Sequence, residues 1–325
     1  MMTSNREYCR RFRSMGCDVS VTLVCDDGAA ADGALDAVEG LFGSADRRFS
    51  RFRPDSELSV LNRSRVLRNP SAAMLDLLAR SLRWERLTGR LFNPLVLMPL
   101  VSAGYDRDFR ESASFVSRGQ IPVRSIPSLA SQLEIDASGQ RHRVALNGDE
   151  SLDLGGIVKG WAVDRAVSFL EGFPGCLVDA GGDLRAGGRP VSGSWHVAIE
   201  DPLSPAHDRE IIELGSCAVA TSGSYRRAWV AGGRRQHHLI DPATGAPSDT
   251  DVLAATVISG SAEEAEVVAK ACVIGGSDYA AQFLERGNSA RGAVTVCDGR
   301  RIASDGWESA VRFGPGRYRV MGATG

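Results

Sequence analysis

Apolar and polar positions alternate through Asp18–Val24 (DVSVTLV), the period of a strand with one buried face. Apolar residues then recur at helical spacing through Gly33–Phe42, so a strand followed by a helix opens the fold. Met74–Thr88 predicts a second helix, with Met74, Leu75, Leu77, Leu78, Leu82 and Trp84 covering one broad face and Gly89 ending it. Between Arg107 and Gln140 the periodicity weakens and Pro122 and Pro127 interrupt it, which predicts loops and short elements. From Arg143 a short strand and a turn at Asn147–Gly148 lead through a glycine-containing loop to a helix over Lys159–Leu170. Strand-like runs follow at Cys176–Val178, Trp195–Ile199, Ala218–Thr221, His238–Ile240 and Ala254–Val257, and Ala262–Ile274 fits a last helix. Short strands joined by tight turns, with a few helices, predict an α+β fold of mixed, largely antiparallel sheets with packed helices. No repeat of fixed period is present. The expected organisation is one domain over residues 1–325, with a flexible arm at 1–11 and a flexible tail at 315–325.

Composition narrows the partners more than the fold. A hydrophobic fraction of 43% and 36 glycines in 325 residues describe a globular chain with many turns. A net charge of −2 provides no overall basic field, which argues against nucleic acid. Arg47, Arg48, Arg51 and Arg53, interleaved with Phe49 and Phe52, are one local basic cluster and read as a solvated helix end entering a strand rather than a single-strand platform. The seven cysteines are odd in number and show no pair at zinc-ligand spacing. The opening MMTSNREYCRRF carries charge without a following apolar stretch, and no run approaches a membrane span, so a cytoplasmic protein with no membrane partner is expected.

Four segments carry chemical character. Leu152–Asp164 (LDLGGIVKGWAVD) sets Gly155, Gly156 and Lys159 at a loop-to-helix entry, where backbone N–H groups and the helix dipole receive anions. The pattern is not a P-loop, and a double glycine is also an ordinary turn. Val178–Gly188 (VDAGGDLRAGG) is a strand entering a turn flanked by Asp179 and Asp183, either a close approach to a ligand or a hairpin with solvated aspartates. Ala218–Arg227 gathers the hydroxyls of Thr221, Ser222 and Ser224 around Gly223, a phosphate or ribose contact or a locally satisfied turn. His237–Pro247 (HHLIDPATGAP) offers His238 as a general base with Asp241 as the partner that fixes its tautomer, or else a surface pair.

In order and spacing these segments resemble the ApbE-type FAD:protein FMN transferase family. Met15–Gly16–Cys17 looks like the family's Met-Gly-Thr opening, Phe49–Asn62 (FSRFRPDSELSVLN) is similar to its serine-rich strand ending in Leu-Asn, and Thr88–Pro94 (TGRLFNP) resembles a signature usually ending Phe-Asp-Pro. The resemblance runs from about Phe12 to about Gly276. It implies an ApbE-like, T-fold-related architecture that binds FAD and moves its FMN part onto a Ser or Thr of an acceptor protein, releasing AMP with the help of Mg²⁺. By motif position Lys159 is expected at the pyrophosphate, the Gly156 carbonyl at the metal and His238 at the transfer site. Met15, Asn93, Gly155, Asp164, Gly182, Asp183, Thr221, Ser222 and Lys270 are expected to line the nucleotide pocket.

Three departures bear on the metal. The family's Ala-Asp-x-x-x-Thr pattern, whose Asp and Thr offer oxygens one helical turn apart, reads Ala265-Glu266-Val267-Val268-Ala269-Lys270 here. Glu266 keeps a carboxylate for a cation, whereas Lys270 brings a positive charge in place of a ligand. Asn93 stands where the pattern has Asp. The departures leave a second reading, a carrier, sensor or other flavin enzyme that holds FAD with Lys270 in place of metal. The terminal Gly322-Ala323-Thr324 resembles the end of a flavin-acceptor motif, making Thr324 a candidate for self-modification beside the ordinary reading as a frayed end.

Overall fold

The computed structural model describes residues 5–107, 124–137, 141–204, 207–231, 233–285, 290–313 and 319–320. Where one domain was expected, the chain divides into two compact units interleaved in sequence: Met1–Gly43, Lys159–Gly223 and Thr250–Gly325 form the first, Ser44–Val158 and Ser224–Asp249 the second.

The first unit is built on a nine-stranded sheet, antiparallel throughout except at its last pair. Its strands run in the order Arg6–Ser14, Cys17–Cys25, Gly175–Ala180, Asp183–Gly188, Ala218–Gly223, Val252–Ser259, Arg291–Val296, Arg301–Ala303 and Arg319–Val320. A three-stranded sheet of Trp195–Glu200, Asp208–Leu214 and Val311–Phe313 accompanies it. Leu184, Ala186, Val219 and Ile258 from the large sheet meet Trp195, Ile199, Ile212 and Leu214 from the small one around the fully buried Trp307. The alternate positions Ala218, Ala220, Ala255 and Val257 point the other way. These small side chains receive the helix Ala262–Glu285, which breaks at Gly276.

The strand at Arg6–Ser14 corrects the expectation of a flexible arm over residues 1–11. Its alternation is Tyr8, Arg10 and Phe12, and the charge at Arg10 hides it in the sequence. The structure compensates that charge from the helix Gly28–Phe49, where Asp36 and Glu39 accept from Arg10 at 2.6 and 3.4 Å. Phe12 packs edge-on against Phe42 with ring centroids 5.6 Å apart. Within the expected tail, Arg319–Val320 pairs with Ile302–Ala303, whereas Thr324 lies outside the described residues.

The second unit gathers the helices Glu57–Ser64, Ala72–Leu87, Leu97–Ser102 and Leu129–Gln132 with a small sheet of Val66–Arg68, Arg143–Leu146 and Leu133–Asp136. Leu58, Leu61, Met74, Leu77, Leu78 and Leu129 are fully buried there. Part of Phe49–Asn62, expected as strand, is therefore helix. Ser56 adopts an extended conformation and its hydroxyl accepts from the Ser59 N–H at 3.0 Å, a helix N-cap that sets Leu58 and Leu61 on one inward face. The chain beyond Phe49 turns instead of entering a strand, and its arginines are tied to carboxylates: Arg48 to Glu57 at 2.7 Å, Arg51 to Asp153 at 3.2 Å and Arg53 to Asp46 at 3.6 Å. His238–Ile240 is likewise not one strand, since Arg234–His237 and Ile240–Asp241 belong to separate two-stranded ribbons. No helix among the described residues is long and apolar enough to cross a membrane.

Candidate functional site

In the first unit, the helices Val158–Phe169 and Ala262–Glu285 bring Lys159, Glu266 and Lys270 together beside Asp183 of the sheet. Lys270 Nζ lies 2.9 Å from Glu266 Oε1, in the favourable i, i+4 order with the glutamate first. Lys159 Nζ lies 3.5 Å from the same oxygen and donates to Asp183 Oδ2. The other oxygen, Glu266 Oε2, accepts from the Gly160 backbone N–H at 2.8 Å. Glu266 has no exposed surface, while the Lys159 and Lys270 side chains keep 11% and 13% of theirs.

The two carboxyls respond differently to one environment. Burial alone would push Glu266 up, but the Lys270 and Lys159 ammonium groups and the Gly160 N–H outweigh it and hold the group down to about 2. At Asp183 burial wins over the neighbouring Lys159, and the carboxyl titrates above its ordinary range.

Gly160 permits this geometry. A Cβ there would lie 2.5 Å from the Ala262 carbonyl oxygen and 2.6 Å from Glu263 Cα, so the two helices approach only because the side chain is absent. Asp164, one turn further on, accepts from the N–H groups of Ala262 and Glu263 at 2.8 and 3.0 Å and pairs with Arg185 Nη1 at 2.9 Å. It caps the helix that carries Glu266 and Lys270. Burial raises the Asp164 carboxyl despite these partners. Asp164 was expected at the nucleotide, and both of its oxygens engage the helix end.

The remaining residues of this unit lie on turns and strand ends. Met15 and Gly16 form a two-residue hairpin turn with φ of 49° and 71°, and a methionine in that region carries strain of the kind found at binding sites. Gly181 and Gly182 make the corresponding turn between Gly175–Ala180 and Asp183–Gly188. The Gly182 N–H donates to Asp179 at 2.8 Å, and a Cβ on Gly182 would meet open space. Thr221 is exposed with its hydroxyl 3.0 Å from that of Thr256 on the paired strand, and Ser222 is buried.

The second unit holds Asn93, Gly155, Gly156 and His238. Gly155 and Gly156 lie in the turn before Val158, and the Gly155 N–H donates to Asp153 at 2.6 Å. Asn93 is buried and both ends of its amide are engaged: Nδ2 donates to the Pro127 carbonyl and Oδ1 accepts from the Leu95 N–H, each at 2.9 Å. Asp241, expected to fix the tautomer of His238, accepts from Ala243 N at 2.8 Å and Thr244 Oγ1 at 3.2 Å within its own turn. The histidine whose ring is fixed by backbone is His237, with Nδ1 accepting from the Leu239 N–H at 3.3 Å and Nε2 donating to the Ser248 carbonyl at 2.9 Å. His238 is half-buried beside it.

The ApbE family model matches residues 15–295, which spans most of both units. The chain belongs to the ApbE family. Relatives include the FAD:protein FMN transferase of Treponema pallidum (strain Nichols), 28% identical with 96% of this chain and 91% of that protein covered. That of Salmonella typhimurium (strain LT2) is 29% identical with 84% and 80% covered. The ApbE protein of Thermotoga maritima superposes with a TM-score of 0.82 at 24% identity, covering 95% of this chain and all of that one. The flavinyl transferase ApbE of Pseudomonas stutzeri, in its apo form, superposes with a TM-score of 0.80 at 25% identity, covering 97% and 99%.

The residues present do not fit the Mg²⁺ expected of the family. Both Glu266 oxygens are taken, one by Lys270 and one by the Gly160 N–H, and Lys159 bonds Asp183. A divalent cation there would face two ammonium groups within 3.5 Å of the oxygen it needs. Among the described residues no group of three or more His, Cys, Asp or Glu is placed to hold a metal.

Gly160, Arg185 and Asp153 escaped the sequence reading. Gly160 had a signal, an isolated glycine in an otherwise helical run, which marks close packing. Arg185 and Asp153 had none, since their partners Asp164 and Arg51 lie far away in sequence.

Proposed function

We propose that this chain is an FAD:protein FMN transferase, moving the FMN part of FAD onto a Ser or Thr hydroxyl of an acceptor protein with release of AMP. The observation that carries this reading is the Lys159–Glu266–Lys270 cluster, in which two ammonium groups that keep part of their surface converge on one buried carboxylate beside a helix N-terminus. Ammonium groups so placed pair with pyrophosphate oxygens. Family membership over residues 15–295, with relatives bearing the transferase name, favours transfer over mere retention of FAD in a carrier or sensor.

In the reaction the acceptor oxygen bonds to the FMN-side phosphorus, the bond from that phosphorus to the bridging oxygen of AMP breaks, and the hydroxyl proton is lost. Lys159 neutralises phosphate charge as it accumulates, and Gly155 and Gly156 let backbone approach the nucleotide. His238 takes the hydroxyl proton, kept in place by its neighbour His237, whose ring is bonded to backbone on both sides. Met15, Gly182, Thr221 and Ser222 contact the nucleotide, while Asp183, Asp164 and Asn93 position the elements that do. The seven cysteines are odd in number and four of them are buried, usage that suits a cytoplasmic setting.

Chromatography of the nucleotides tests the reading. With FAD and an acceptor domain, AMP forms; with the same domain carrying Ala at its acceptor hydroxyl, it does not. Absence of AMP with several acceptor domains refutes transfer.

A further inference from the structure

We infer that this chain binds FAD and transfers FMN without a divalent cation, the Lys270 ammonium being a built-in substitute for the metal. The inference rests on the transferase reading above and concerns how the phosphate charge is met.

Four ionisable groups are enclosed together: Lys159 and Lys270 against Asp183 and Glu266, two positive and two negative. The set is neutral as built, so the fold holds it without an added ion. A carboxylate that served as a metal ligand would need a lone pair facing open space. Glu266 has 0% exposed surface, an ammonium at 2.9 Å on one oxygen and a backbone N–H at 2.8 Å on the other. Both lysine side chains, by contrast, keep part of their surface. They can turn toward a phosphate while Glu266 stays bonded to Gly160. The pairing also accounts for the glutamate: it stands one turn before Lys270, and its carboxylate reaches across to the N-terminus of the neighbouring helix.

The chemistry balances without metal. One P–O bond forms to the acceptor oxygen, one P–O bond to AMP breaks, one proton leaves the hydroxyl, and nothing is oxidised or reduced. Lys159 and Lys270 supply the positive charge that the phosphate oxygens need as the bonds exchange.

The test is a titration of the full-length chain with FAD, followed by flavin fluorescence, once in EDTA and once in millimolar MgCl₂. The expected dissociation constants agree within about twofold. Binding that is tenfold or more tighter with Mg²⁺ overturns the inference while leaving the transferase reading standing. Absence of saturable binding in both buffers refutes that reading and the inference with it. Lys270→Thr, which exchanges the ammonium for an oxygen, supplies the second arm. In EDTA its affinity falls about tenfold or more, the loss of one charge-assisted contact, and Mg²⁺ restores it. Unchanged affinity of Lys270→Thr in EDTA overturns the role given to Lys270. The variant's circular dichroism confirms its fold, which Glu266 continues to support through Gly160 and Lys159.

Discussion

A methyl group at Gly160 separates the packing account from its alternatives. In Gly160→Ala the new carbon would lie 2.5 Å from the Ala262 carbonyl oxygen and 2.6 Å from both its carbonyl carbon and Glu263 Cα. Carbon contacts prefer about 3.5–4.0 Å, so the helices must part by roughly 1 Å. All three obstacles are backbone, and no side chain can swing aside to relieve them. Overpacking of this kind costs about 1–3 kcal/mol. Parting the helices also stretches the Gly160 N–H bond to Glu266, and a hydrogen bond to a charged group contributes about 1.5–3 kcal/mol. The sum, about 2.5–6 kcal/mol, is a large fraction of the stability of an ordinary domain. It corresponds to a melting temperature lower by roughly 5–24 °C for a domain of this size. The same substitution at Gly33, inside the helix Gly28–Phe49 and with no atom within 4 Å of the added carbon, is the control. Gly33→Ala is expected to stabilise by about 0.5–1 kcal/mol, because it restricts the unfolded chain and improves helix propensity. Thermal unfolding followed by circular dichroism reads both. Melting of Gly160→Ala within a degree or so of the unsubstituted protein would refute the close-packing argument, as would equal shifts in the two variants.

Asn93→Asp restores the residue usual in the family, yet it is expected to destabilise by about 1–3 kcal/mol in urea denaturation. A carboxylate still accepts from Leu95 but cannot donate to the Pro127 carbonyl, and an equally stable variant would show that this donor does not hold the loop. The His237 ring is held below its ordinary range chiefly by burial, so the fold favours its neutral form. Its contribution to stability is complete above the unfolded value of about 6.5 and is lost as pH falls through the lower folded value. His237→Gln is therefore expected to flatten the decline in melting temperature over that acidic range, and an unaltered slope would remove His237 as its source.

Elements were legible in the sequence where their own periodicity decided the outcome. The strand at Asp18–Val24 and the helices after Met74 and Lys159 emerge near their expected bounds, whereas the last helix starts at Ala262 as expected but runs past Ile274, through a break at Gly276, to Glu285. The helix at Glu57–Ser64 was obscured because its serine cap and leucine spacing sit inside a short polar stretch that also suits a strand. Arg6–Ser14 was obscured because its partly buried position Arg10 is charged, and Asp32, Asp36 and Glu39 on a later helix compensate that charge. The site followed the same division. Lys159, Glu266 and Lys270 could be singled out by motif position, but the sharing of one carboxylate between two lysines is a long-range event with no local pattern. The engagement of Asp164 with a helix N-terminus 98 residues later is another.

On the proposed mechanism this chain carries FMN from FAD to a protein hydroxyl using charges of its own. The intact mass of an acceptor domain after incubation with FAD and this protein in EDTA tests it most directly. The acceptor is expected to gain the mass of one FMN unit. Lys159→Met, which removes the ammonium shared by Asp183 and Glu266, is expected to abolish the gain. An acceptor whose mass stays unchanged in EDTA, across several acceptor domains and whether or not it gains FMN in MgCl₂, would contradict it.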